Sequence, residues 1–201
     1  MPKVTAFIFA LFSAIGALGL AISPAGATPV LNVVGGQLVG ASNVEVLGVL
    51  YDVTFVEGSC VEVFSGCDNA AEDFDFTHFT PALAAAQALL DSVFIGIFDD
   101  DPSLTFICPA IRNHCAATIP YEVGLIDTFE IVNVAYAYNN VSEVLDRIET
   151  STFNRGEDYL EYGYFYARFT PAIAVPEPST LLLFGFALVG LAGIAWRRRK
   201  V

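Results

Sequence analysis

Between residues 28 and 170 the apolar positions recur mostly at every second residue, the spacing of strands with one buried face. Val30 to Val34 and Gln37 to Ala41 flank Gly35-Gly36, a two-residue loop suited to a tight hairpin. Ala41-Ser42-Asn43 then predicts a second turn and hence a meander. From Gly48 to Val56, Val49, Tyr51, Val53 and Phe55 fall on one face, with Asp52 and Thr54 on the other. The period changes at Thr80-Pro81, which reads as an N-cap followed by proline in the first turn. Leu83, Ala86, Leu90 and Phe94 then recur at helical spacing and predict an amphipathic helix over 81–94. Asp99-Asp100-Asp101-Pro102 ends that pattern, alternation returns over Thr128–Tyr138 and Tyr159–Phe169, and Ser142–Glu149 reads as a short helix. This order predicts an α+β domain, a mostly antiparallel β-sheet with one main helix, because a parallel α/β fold needs helices between successive strands.

Both ends of the chain depart from that pattern. Lys3, the apolar run Ala6–Ile22 and the small residues Ala25-Gly26-Ala27 form the charged, hydrophobic and cleavage regions of a secretory signal peptide, with cutting by signal peptidase between Ala27 and Thr28. At the other end, Val175-Pro176-Glu177-Pro178-Ser179-Thr180 precedes sixteen uncharged residues, Leu181–Trp196, and then Arg197-Arg198-Arg199-Lys200. As a helix the uncharged run would rise about 24 Å, slightly under the roughly 30 Å of a bilayer core. The positive cluster places its far end in the cytoplasm, with the long basic side chains relieving the mismatch. Pro176 and Pro178 hold the approach to the membrane extended, a form that suits a protease. The expected organisation is a signal peptide (1–27), an exported domain (28–174) and a C-terminal segment (175–201).

In order and spacing, this last segment resembles the PEP-CTERM sorting signal of Gram-negative bacteria: the Pro176-Glu177-Pro178 motif, a short transmembrane helix and a terminal basic cluster. The resemblance implies an exosortase-like membrane transpeptidase that cuts near the motif. It also implies a precursor anchored in the inner membrane before processing, and a final place at the cell surface or outside the cell. The segment Gly40–Cys67, containing Leu50-Tyr51-Asp52-Val53-Thr54-Phe55, is similar to the opening of one group of PEP-CTERM proteins, and Thr80–Phe94 to their helix. That likeness implies a secreted protein of unassigned function in bacteria that build exopolysaccharide and biofilm.

Charge and cysteine narrow the surroundings. The span 28–174 holds four arginines, Arg112, Arg147, Arg155 and Arg168, no lysine, and 21 of the 22 acidic residues, a net charge of −17. Such a surface repels nucleic acid and anionic membrane. All four cysteines lie in this span, and export leads through an oxidising compartment, so disulfides are expected. Six residues separate Cys60 from Cys67 and likewise Cys108 from Cys115. Of three connectivities the repeated spacing favours two local loops, with Gly58, Gly66 and Pro109 supplying turns. Chain entropy does not decide it: a short loop contributes about 2.5 kcal/mol and a long bridge such as Cys60 to Cys115 about 4 kcal/mol. Zinc binding by four thiolates normally uses shorter gaps.

Three constellations could carry chemistry. Tyr162, Tyr164 and Tyr166, at period two, would place three phenols on one strand face, where rings could stack on sugars or pack across strands against Tyr136 and Tyr138. Glu72, Asp73 and Asp75, or Asp99, Asp100 and Asp101, could offer oxygens to calcium but lack the EF-hand spacing. His78 with Asp75, and His114 beside Cys115, are the histidine arrangements available, and no nucleophile elbow or His-Glu-x-x-His occurs. Asn140-Val141-Ser142 matches a glycosylation sequon through composition. The expectation is a non-enzymatic surface or matrix protein needing no cofactor or metal, with a polysaccharide-binding module and a secreted hydrolase as alternatives.

Overall fold

The computed structural model describes residues 28–108, 113–141 and 145–173. The signal-peptide residues Ala25 and Ala27, the sorting motif, the transmembrane run and the basic cluster lie outside them. The chain divides after Pro171, and of the second unit only Ala172 and Ile173 are described.

Gly35 and Gly36, at φ +61° and +88°, close the expected hairpin between β1 (Val30–Val34) and β2 (Gln37–Val46). The predicted turn at Ala41-Ser42-Asn43 does not form. Instead β2 runs on to Val46, and the register against β3 (Val49–Val56) shifts between Ala41 and Val44. Asn43 takes φ +59°, and its N–H donates to Asp52 Oδ1 at 3.3 Å. Asparagine tolerates the left-handed region, so turn chemistry here produces a bulge, and the reversal comes at Leu47-Gly48. Along β3 the expected alternation holds from Tyr51 onward: Val53 and Phe55 are buried, with Tyr51 packed beside them, while Val49 at the start of the strand is exposed.

Two short helices follow, α1 (Cys60–Val63) and α2 (Ala70–Asp73), and then the main helix α3 (Phe79–Ser92). Its N-cap is His78 rather than Thr80, and Pro81 sits in the first turn, where its missing N–H has no helical partner to lose. The buried face is Ala82, Ala85, Ala86 and Leu89, so the predicted Leu83 and Leu90 flank it instead of centring it. Alanines on the helix meet Ala117, Ala135, Ala137 and Ala167 on the sheet within one core, and small side chains let the two layers approach closely.

α4 (Ile97–Asp100) and a 3₁₀ turn at Pro102–Leu104 lead to β4 (His114–Ile126) and β5 (Phe129–Asn140). Then comes β6 (Arg147–Asn154), so the helix expected over Ser142–Glu149 is a strand at Arg147–Glu149, and residues 142–144 lie outside the described residues. A 3₁₀ turn at Leu160–Tyr162 precedes β7 (Tyr164–Pro171). The seven strands form one sheet in the order β1-β2-β3-β7-β4-β5-β6, antiparallel except where β7 pairs with β4 in parallel. The sheet is thus mostly antiparallel, as expected, with one parallel pair that the sequence reading did not contain.

Each face of the sheet has its own apolar cluster. The α3 face gathers Phe55, Phe94 and Phe165, with ring centroids of 5.6 Å for Phe55–Phe94 and 4.9 Å for Phe55–Phe165. The opposite face is covered by the loop carrying α1, where Phe64 packs edge-on to Phe74 at 5.5 Å and to Tyr166 at 5.3 Å. Such pairs add about 0.5–1.5 kcal/mol beyond the area they bury. Both local disulfides form, Cys60–Cys67 and Cys108–Cys115, with Cα separations of 5.7 and 5.9 Å. The first belongs to the loop-covered face and the second to the α3 face, so each layer is stapled once.

Candidate functional site

The tyrosine ladder is broken by Gly163, which takes φ +85° at the end of the 3₁₀ turn. A Cβ at this position would lie 3.3 Å from the His114 carbonyl oxygen. Tyr162 therefore stands outside β7 and is 49% exposed, whereas Tyr164 is half-buried and Tyr166 only 4% exposed. Tyr166 faces Phe64, and burial pushes its hydroxyl well above the ordinary phenol range. Tyr164 packs edge-on to Tyr136 and to Phe153, both at 5.4 Å. The cross-strand aromatic packing weighed as the alternative to a sugar platform thus accounts for Tyr164, while Tyr166 is buried against Phe64 of the covering loop and Tyr162 is left as the exposed ring.

Beside this packing lies a polar strip across β4, β5 and β6. Tyr138 stands between His114 of β4, stacked at 4.7 Å, and Arg147 of β6, whose guanidinium carbon is 3.9 Å from the ring centre. Arg147 also pairs with Glu149, which accepts a hydrogen bond from the Tyr136 hydroxyl. That hydrogen bond, and then Arg147, hold the Glu149 carboxyl below the usual carboxylate range. Burial raises the Tyr136 hydroxyl, and the hydrogen bond to Glu149 raises it further. A carboxyl lowered on folding stabilises the protein above its unfolded-state pKa, near 4.3, and the contribution is lost as pH falls through the lower folded value. With the side chain of Glu149 40% exposed, the effect is expected to stay under about 1 kcal/mol. Melting temperatures of wild type and Glu149→Gln should therefore converge between about pH 5 and 3 and stay apart at neutral pH.

The other proposed constellations do not assemble. Asp75 accepts from Arg168 and from the Phe169 N–H, at 2.7 Å for the latter, while the exposed His78 sits at the start of α3. Asp73 accepts from the Asp68 and Asn69 N–H groups, both at 3.0 Å, and Asp101 from Ser103. Among the described residues no group of three potential metal ligands comes together. Cys115 is in a disulfide, so the neighbour of His114 is no nucleophile.

Sequence reasoning missed the use made of the rare cations. Arg168 spans the sheet and the loop that covers it. It lies 4.5 Å over the Phe64 ring, pairs with Asp75 at 3.1 Å, and donates to the Val63 carbonyl at 2.8 Å. Arg155 does the same at the other end of the loop, donating to the Gly66 and Cys67 carbonyls at 3.3 and 3.2 Å and pairing with Glu130. The available signal was composition: with four arginines among 21 carboxylates over 28–174, each arginine was a candidate for an ion pair. Next to Arg155 an open concavity of about 490 Å³ is lined by Val61, Asp127, Phe129, Glu130 and Asn154, and Phe129 is 63% exposed. An exposed ring beside fixed planar polar groups can offer a sugar both an apolar surface and hydrogen-bond partners.

Residues 174–200 match the PEP-CTERM protein-sorting motif. The match begins one residue before the segment delimited from the sequence and ends one residue short of it. It marks an exported protein with a membrane-anchored precursor, processed by an exosortase-type membrane enzyme. No curated protein and no solved structure matches the chain.

Proposed function

We propose that the exported domain is a non-enzymatic component of the cell surface or extracellular matrix, released or transferred from its tail by the exosortase-type enzyme and associated with exopolysaccharide. The observation that carries this reading is the sorting motif over 174–200. The domain supports it in kind: its two sheet faces are packed, its disulfides are local, and Arg155 and Arg168 tie the covering loop to the sheet. The test is the intact non-reduced mass, with both termini sequenced, of protein recovered from cells and medium. A chain starting at Thr28, lacking Leu181 onward and carrying two disulfides is expected. Glu177→Ala should shift nearly all of it to an uncut form in the inner membrane; a Glu177→Ala chain cut and released like wild type would refute sorting through this motif.

A second reading, a polysaccharide-binding module, is favoured by the exposed rings of Phe129 and Tyr162. On electrophoresis through gels containing neutral polysaccharide, retardation of wild type that Phe129→Ala or Tyr162→Ala abolishes would support it. Equal mobility of all three proteins in every gel would remove it.

A further inference from the structure

Among the described residues, β1 has a neighbour on one side only, so half of its backbone N–H and C=O groups face outward at one edge of the sheet. Such edges template pairing with another chain, and natural proteins guard them with charge, proline or a bulge in the edge strand. The opposite edge, β6, is guarded in this way by Arg147 and Glu149. Among the described residues β1 carries none of these guards. Val30–Val34 contains no charge and no proline, and its register shift leaves the extra residue, Val39, on β2. Val30, Val33 and Val34 are all exposed.

The charge map says what can dock there. Between Thr28 and Val44 there is no charged side chain and no carboxylate, although the span 28–174 carries a net −17. Two copies of this chain repel each other wherever acidic surfaces meet, and β1 is an edge where they can touch without apposing carboxylates. We propose that the β1 edge is a homotypic interface: β1 of one copy pairs antiparallel with β1 of a second, joining two sheets across a two-fold axis. The pairing is self-complementary and therefore closes as a dimer. The guarded β6 edge prevents the contact from propagating into fibres. Two five-residue strands bury far less than the roughly 1,200 Å² of a stable interface, so the dimer is weak and fills where copies are concentrated, as on a cell surface. Salt should strengthen it, because the opposing force is long-range repulsion that ions screen within about 8 Å at physiological strength.

The test is photo-crosslinking of the full chain in its native cells, with a benzophenone amino acid at Asn32. A covalent dimer joining Asn32 to residues 30–34 of the second copy is expected. Its yield should rise with salt in isolated material and fall about ten-fold on adding Val33→Lys, which guards the edge. Thr150→Lys on β6 should leave it unchanged. Thermal melts of both lysine variants separate lost pairing from lost folding. A chain that stays folded but gives no dimer, a crosslink to another segment, or a dimer indifferent to Val33→Lys would overturn the proposal.

Discussion

Replacing Gly40 with alanine is expected to cost about 3 kcal/mol or more, a large part of the stability of a domain this size. Gly40 lies in β2 with β1 on one side and β3 on the other, at φ +151°, and a Cβ there would stand 2.1 Å from the Val53 carbonyl oxygen. The contact is with backbone, so no rotamer change relieves it. Strands β2 and β3 would have to part where their ladder carries Ala41 and Val53 into the core. Gly35→Ala is the control. Gly35 also has positive φ, but a Cβ there meets nothing within 4 Å, so the cost should be only the conformational penalty of about 1 kcal/mol. Urea unfolding of the two variants should show a far lower midpoint for Gly40→Ala, and equal midpoints would contradict this account of the β2–β3 approach.

The second large effect is expected at Arg168. Arg168→Leu removes the guanidinium from Phe64, the donor to Val63 and the partner of Asp75 in one step. The side chain of Asp75 is only 13% exposed and would keep a single described donor, the Phe169 N–H. Leaving a largely buried charge uncompensated costs about 3–5 kcal/mol at full burial, and about 2–3 kcal/mol here because Arg168 itself is 36% exposed. Asp75→Asn in the Arg168→Leu background should recover part of the loss, since the charge left unpaired is then absent. A double variant no more stable than the single one would show that lost packing on Phe64, not charge, dominates.

How far the chain could be read depended on whether the deciding interaction was local. The Gly35-Gly36 hairpin, the alternation of β3 and both disulfides rest on residues a few positions apart, and they form as the spacing indicated. β4 was illegible because it is built from Cys115, Ala116 and Ala117 with Pro120 inside it, a residue that argues against a central strand. The structure accommodates Pro120 where the register with β5 shifts, beyond the stretch that β7 pairs. The buried face of α3 was displaced because large residues draw the eye to Leu83 and Leu90, while close packing selected the alanines. Gly163 was a legible warning that the tyrosine run would break, since an isolated glycine within an alternating pattern often marks a departure from the strand. The concavity beside Phe129 joins residues from the Cys60–Cys67 loop, the β4–β5 hairpin and the end of β6, a meeting that only the tertiary fold defines.

The place of β7 bears on the timing of export. Strands β1 to β3 and β4 to β6 form two antiparallel halves that touch within the sheet only through β7, the last strand in the chain. A polypeptide that crosses a membrane from its N-terminus delivers six strands before the one that unites them. Closing the sheet then requires β7 to find β3 across more than a hundred residues, a non-local contact of the kind that slows folding. In a chain exported in that order, the two halves keep their inner edges open until residue 171 has passed. Completion of the domain becomes one of the last events of such an export, immediately before the start of the sorting motif at residue 174.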